Sequence, residues 1–322
     1  MNQPHVTGLI AGPLVPFDRE IRIDENAYRS QISRQNRVKG LGGIYVNGFV
    51  GEVYSLTPKE RQLVIRLARE QASNNIPIIS GIVGFTPDDL VQSAKEAQEA
   101  GADMVMVFPP YDNRFYKRLA DRPDPPFQLF KELSERIDLP MWVFKFPKES
   151  GVCYSNETML KIADEISSVV GTKASAISCS EYYELWSTLK GRISVFATGH
   201  DTPDLLGMMM LGSDGGMAGI MNIGEERWAE FIGACLNHEW GKARDLFVER
   251  LVPISEYIYG SRQKTRVGST TSQIKECLVQ MGLFPTSFVH PPDTCVTQEE
   301  KRGITNLLES LDLISEQSVH RR

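Results

Sequence analysis

Positive charge is in short supply: 35 lysines and arginines stand against 41 aspartates and glutamates, a net charge of −6 over 322 residues. Non-specific affinity for a phosphate backbone needs clustered cations, so a nucleic-acid partner is not expected. Histidine is scarce as well, and His5, His200, His238, His290 and His320 fall into neither an HxxxH nor an HExxH spacing. Cysteine is limited to Cys153, Cys179, Cys235, Cys277 and Cys295, an odd set with no CxxC pair. That argues against both a disulfide framework and a zinc site, and it suits reduced thiols in a cytoplasmic protein. Long apolar runs are missing too. The stretch from Gly8 to Pro16 is broken by Gly12 and Pro13 and lacks a basic leader and a cleavage site. Neither a membrane span nor a signal peptide is therefore expected.

What is present is rhythm. From Gly8 to about Ile223, short β-branched runs alternate with longer helical patterns, the signature of repeated βα units on a parallel sheet. Strand candidates are Gly8 to Pro16, Gly43 to Asn47, Pro77 to Val83, Met104 to Phe108, Met141 to Phe146, Val169 to Lys173, Ile193 to Thr198 and Gly216 to Ile220. These are eight runs, the number that closes a (β/α)₈ barrel. Helix starts lie between them: Thr57-Pro58 with Glu60, Thr86-Pro87 with Asp89, and Thr202-Pro203. The segment from Tyr111 to Pro126 is proline-rich and basic, with Arg114, Lys117, Arg118 and Arg122, and reads as a long loop over the site or a subunit contact. Residues 1–223 are read as the barrel. Residues 224–322 are read as a C-terminal helical extension packed on it, with a role in packing and oligomerisation rather than chemistry.

In a parallel barrel the chemistry sits at the C-terminal ends of the strands. Lys173 ends the run Val169-Val170-Gly171-Thr172, and an inward-facing lysine there is desolvated, which lowers its pKa and leaves an amine able to attack a carbonyl carbon. The same pattern also fits an exposed residue at a strand end. Asn47-Gly48-Phe49-Val50-Gly51-Glu52 follows the second strand. Its glycines allow a sharp turn that points N–H groups at an anion; glycines also mark any tight βα turn, and the segment lacks the GxGxxG of a dinucleotide site. On the fifth strand, an inward Phe144 turns Lys145 outward, where a salt bridge outside the barrel is expected, while Lys148 and Ser150 on the loop above are placed to meet a substrate anion. Thr198-Gly199-His200-Asp201 follows the seventh strand, where His200 exchanges protons near neutral pH or serves as a cap or surface residue.

In combination these segments become specific. The ordered set of Gly48-Phe49-Val50-Gly51-Glu52, Ser55-Leu56-Thr57, Glu60-Arg61, Pro109-Pro110-Tyr111, Pro147 to Gly151, and Val170-Gly171-Thr172-Lys173 resembles the dihydrodipicolinate synthase and N-acetylneuraminate lyase family. The likeness continues through Gly212 to Gly216 and from Ile274-Lys275 to Gly282-Leu283. It implies a class I aldolase, hydratase or dehydratase acting on a 2-oxo acid such as pyruvate. It also implies a homo-oligomer, dimer or tetramer, that needs no metal or cofactor beyond the covalent substrate Schiff base on Lys173.

Departures from the family pattern matter as much. The pair of hydroxyl residues that hold the substrate carboxylate is replaced by Phe49 and Val50, leaving backbone N–H groups to bind it. The strand-five tyrosine that shuttles protons aligns with Phe144, the tyrosine lent by a neighbouring subunit with Asp112, and the arginine of the dihydrodipicolinate synthases with Glu149. Lysine biosynthesis is therefore disfavoured. The imine on Lys173 remains an electron sink for aldol cleavage or addition, hydration or β-elimination, with His200, Asp112, Tyr111, an ordered water or the substrate's own groups as acid or base. Substrate contacts are expected from Gly48, Phe49, Val50, Gly51, Tyr111, Phe144, Lys148, Thr198 and Gly219. Phe49, Val50 and Phe144 favour an aromatic or otherwise hydrophobic substrate. The rival reading is a barrel that has lost catalysis and serves as a small-molecule binding or regulatory module. An open pocket at Lys173 distinguishes the first reading, a salt-bridged or occluded lysine the second.

Overall fold

The structure, a computed structural model, describes residues 5–175, 178–198, 204–260 and 266–314. Its centre is a set of parallel strands: β1 (Gly8–Ala11), β2 (Leu41–Val46), β3 (Ile78–Ile82), β4 (Met104–Val107), β5 (Met141–Lys145), β6 (Val169–Ser175), β7 (Ser194–Thr198) and β8 (Gly215–Gly216). They pair in chain order and close through β1 and β8 into an eight-stranded barrel. The expected (β/α)₈ fold is present. β8 is shorter than the apolar run from Gly216 suggests. A side chain at Gly215 would collide with the Gly8 carbonyl, so only glycine lets these two backbones pair, and the chain then coils into a 3₁₀ turn over Gly219–Asn222.

Around the barrel run α1 (Glu25–Gln35), α2 (Pro58–Gln71), α3 (Pro87–Glu99), the short α4 (Arg114–Lys117), α5 (Asp124–Ser134), α6 (Asn156–Glu165), α7 (Cys179–Leu189) and α8 (Asp204–Met210). Capping boxes open α2 and α3: Thr57 and Thr86 accept from the third helical N–H, while Glu60 and Asp89 accept from the cap N–H. Beyond the last strand come α9 (Glu225–Leu236), α10 (Trp240–Leu246), a π turn over Phe247–Leu251, α11 (Val252–Tyr259), α12 (Thr270–Gln280) and α13 (Gln298–Ser310). α9 lies against β1 and β8, across the seam where the barrel closes. α12 packs on the 219–222 turn, which brings its first residues toward the strand ends.

Register places the lysine. Trp142 pairs with Gly171 and Phe144 with Lys173 across β5 and β6, and alternation turns all four to the same face. A Cβ at Gly171 would stand 2.7 Å from the Trp142 indole. The missing side chain therefore admits the tryptophan, whose ring packs edge-on to Phe196 at 5.2 Å and fills the barrel one layer below Lys173. The 204–210 helix is described, whereas Thr202-Pro203 lies outside the described residues.

Candidate active site

Lys173 is buried within β6. Among the described residues no carboxylate lies within salt-bridge distance of it. Its Nζ sits 4.5 Å from the centroid of the Phe144 ring and 5.3 Å from that of Tyr45. Ring faces attract a cation by about 2 kcal/mol when both are desolvated, whereas losing water without an anionic partner costs a buried ammonium several kcal/mol. Desolvation wins, and burial pulls the Lys173 pKa down to about 7. Near neutrality a large share of this lysine is the free amine.

The amine opens into a cavity of about 360 Å³ at the C-terminal ends of the strands, within the size range of small-molecule sites. From the sequence-predicted set the cavity gathers Lys173, Gly48, Phe49, Val50, Tyr111, Phe144 and Gly219, together with Ser150. One wall is aromatic. Phe108, Phe144 and Phe146 stand edge to face, at 4.7 Å and 4.6 Å between neighbouring rings, and Phe49 joins Phe146 at 5.7 Å. Opposite, a Cβ on Gly48 would stand 2.8 Å from the Tyr45 ring, and one on Gly219 would collide with Val50. Both glycines are thus needed for the close approach of two loops and a ring.

The loop after β2 folds back on itself, Glu52 N–H donating to the Phe49 carbonyl at 2.9 Å and Val53 N–H to that of Gly48 at 3.3 Å. Among the described residues the N–H groups of Phe49 and Val50 have no acceptor, and both residues line the cavity. Glu52, in a left-handed conformation with φ 55°, anchors the loop to the C-terminal helices. It accepts from Lys275 Nζ at 2.5 Å and from His290 N–H at 2.8 Å, and Lys275 also donates to the Phe288 carbonyl at 2.8 Å. Burial pushes the Glu52 carboxyl up and the Lys275 ammonium down, each against the pull of its partner.

Other predicted residues lie elsewhere. Thr198 is buried with its hydroxyl donating to the Ala174 carbonyl at 2.8 Å, so it is occupied in the barrel wall. Gly51 is buried in the turn behind the cavity, its Cβ position 3.3 Å from Gly48 N. Asp112 is exposed and acts through space on Tyr54, whose phenol burial pushes up, with the Asp112 charge adding to the shift. Lys148 points away: its Nζ pairs with Glu181 at 2.6 Å and lines a neighbouring cleft with Lys117 and Lys145. Lys145 does face outward, yet its close partner is the Cys153 thiol at 3.3 Å rather than a carboxylate. His200 and the side chain of Glu149 lie outside the described residues.

Several lining residues carry no signal in the sequence pattern. Tyr45 sits in the middle of an apolar strand, and Thr270 and Thr271 come from the first turn of α12, in the extension read as packing alone. Met217, Ala218 and Tyr259 complete that side. Among the described residues no group of three histidines, cysteines or carboxylates is arranged to hold a metal ion, and no helix is long and apolar enough to cross a membrane.

A parallel barrel whose sixth strand lowers a lysine into a cavity over the strand ends has the architecture of a class I aldolase-type lyase. The chain belongs to the dihydrodipicolinate synthetase family, whose model matches residues 5–311. It is 25% identical over 312 residues to the 4-hydroxy-tetrahydrodipicolinate synthase of Bartonella tribocorum, covering 95% of this chain and 98% of that one. It is 26% identical over 307 residues to an uncharacterized DapA-like lyase of Thermofilum pendens, covering 95% and 97%. Among solved structures, dihydrodipicolinate synthase from Aquifex aeolicus superposes with a TM-score of 0.83 at 24% identity, covering 96% of this chain and 99% of that one. The enzyme from Acinetobacter baumannii complexed with pyruvate gives 0.84 at 22%, covering 96% and 100%. These two likenesses bear on the fold alone.

Proposed function

We propose that the protein is a Schiff-base lyase in which the free amine of Lys173 adds to the ketone of a 2-oxo acid and the reaction partner carries an apolar, aromatic group. The observation that carries this reading is a buried lysine with a pKa near 7 facing an open cavity, with no carboxylate paired to it among the described residues. Loss of water from the adduct gives an iminium that withdraws electrons from the adjacent carbon, so that a carbon–carbon or carbon–oxygen bond at the next position can break or form. The substrate carboxylate is received by the Phe49 and Val50 N–H groups. The rings of Phe49, Phe144 and Phe146 receive the apolar part, where a sugar acid's hydroxyls would go unpaired. The same wall disfavours the tetrahydrodipicolinate-forming reaction, because Phe144 has no proton to move and Phe49 and Val50 offer no side-chain hydroxyl.

The test is retro-aldol turnover. A 4-hydroxy-2-oxo acid bearing an aryl group at carbon 4 is incubated with the protein, and released pyruvate is read through a coupled dehydrogenase. Release that is lost in Lys173→Met is expected. No release from aryl or alkyl members of such a series, with trapping also absent, would remove the lyase reading.

A further inference from the structure

The turn that follows β5 separates the Lys173 cavity from a second cleft: Pro147 and Ser150 line the cavity, Lys148 and Gly151 the cleft. Lys145 lines the cleft from the outer face of β5 and is only 5% exposed. Its ammonium donates to the Cys153 thiol at 3.3 Å, a weak acceptor for a group with three donors. A buried charge ordinarily has an opposite charge beside it, yet among the described residues no carboxylate lies within salt-bridge distance of Lys145. Lys117, half-buried in the same cleft, rests 4.1 Å from the centroid of the Tyr111 ring and likewise has no carboxylate paired to it among the described residues. α6 also begins at the cleft, with Ser155 as its cap and Asn156 as its first residue. The Ser155 hydroxyl is taken by the Thr158 N–H at 3.1 Å, whereas the N–H and side-chain amide of Asn156 have no partner among the described residues. Carboxylates line the cleft too, and their positions decide what they do. Glu181 pairs with Lys148 at 2.6 Å, and that bond above all holds its carboxyl below the usual range. Asp121 and Glu184 are exposed, where water and salt screen them far more than they screen the buried Lys145.

We propose that this cleft is a binding site for the phosphoryl group of a small phosphate monoester, separate from the Lys173 cavity. Lys145 and Lys117 supply the charge. The start of α6 supplies directed N–H donors and the positive end of the helix dipole, the combination that phosphate takes at helix N-termini. A phosphoryl group presents three acceptor oxygens, enough to meet donors arriving from β5, from α4 and from α6 at once, which a carboxylate with two oxygens is not. The cleft holds about 700 Å³ against about 360 Å³ for the Lys173 cavity, which leaves room for the organic part of the ester. None of this depends on the chemistry assigned to Lys173.

The experiment is calorimetric titration of the full chain at constant ionic strength, with inorganic phosphate and glycerol phosphate as the probes. Both should bind saturably, glycerol phosphate the more tightly, and pyruvate should displace neither. Lys145→Met should weaken both by about 10-fold or more, the effect of losing one charge-assisted hydrogen bond. Asn156→Asp is the second variant. A carboxylate in the first turn of α6 suits the helix dipole but repels an oxyanion, so Tm should hold while affinity falls by a similar factor. Absence of saturable binding to the parent, an affinity that Lys145→Met and Asn156→Asp leave unchanged, or displacement of the probes by pyruvate overturns the site. Binding of inorganic phosphate alone overturns the assignment to a monoester.

Discussion

Lys173 and Phe144 are Cα partners across β6 and β5, and the lysine nitrogen rests 4.5 Å from the centre of the phenyl ring. That pairing joins the two halves of the site. A hydrocarbon ring at that position helps keep the amine dry and has no proton to offer it. In the proposed reaction the protons come from another group, and the substrate meets apolar surroundings.

The first consequence is a pH profile. With its pKa near 7, Lys173 should form imine with pyruvate at a rate that rises with pH below about 7 and is level above it. A solvent-exposed lysine would still be gaining at pH 9, and that outcome in the trapping assay would contradict the burial argument. Stability follows the same group. The unfolded chain keeps this proton up to the ordinary lysine value, whereas the folded chain releases it near 7, so stability rises with pH across that window. Lys173→Met removes the cost of burying the cation. Its Tm should exceed the parent's at pH 6, by a margin that narrows toward pH 9.

Substrate preference is the second. Burying a phenyl group against Phe49 and Phe146 contributes about 2–3 kcal/mol, roughly a 50-fold preference. An aryl-bearing 2-oxo acid should compete with pyruvate for Lys173 by about that factor in paired trapping, and Phe49→Ala should erase most of the advantage. Equal competition by a polyhydroxylated 2-oxo acid would contradict the apolar assignment.

The third concerns the loop that carries Phe49 and Val50. Removing one partner of a buried pair strands a charge at a cost of roughly 3–5 kcal/mol, so Lys275→Met should lower Tm sharply. Lys275→Met combined with Glu52→Gln should recover much of the loss. Chemical denaturation of both variants measures it. If the single variant is as stable as the double, the pair does not hold the loop.

Gly219 gives the fourth. A methyl there would collide with Val50, and overpacking of this kind costs about 1–3 kcal/mol. Gly219→Ala should slow imine formation by displacing the turn proposed to receive the substrate carboxylate. Adding Val50→Ala should restore the rate, and a failure to restore it would show that the glycine serves its own backbone rather than its neighbour.

Much of this was legible in the chain. The β-branched runs announce the strands because each must be apolar on both faces inside a shell of helices, and Lys173 stands out as a charge that ends one of them. Tyr45 gives no such signal: an aromatic residue between Ile44 and Val46 reads as core, and only closure of the barrel brings its ring near Lys173 of β6. Thr270 and Thr271 are hidden for a similar reason, since nothing local says that the first turn of α12 reaches the strand ends. Lys148 shows the opposite failure. Its position after β5 suggests a site cation, yet the 3₁₀ turn over Lys148–Ser150 sends Ser150 to the cavity and Lys148 to Glu181, a direction that residue spacing does not encode.

That Lys173 is the nucleophile is tested directly by trapping. The protein is reduced with borohydride in the presence of pyruvate and of an aryl-bearing 2-oxo acid, and every lysine-containing peptide is examined by mass spectrometry. A secondary-amine adduct is expected on Lys173 and none on Lys145, Lys148 or Lys275. Adduct on those lysines in place of Lys173, or on no lysine with either acid, would contradict it.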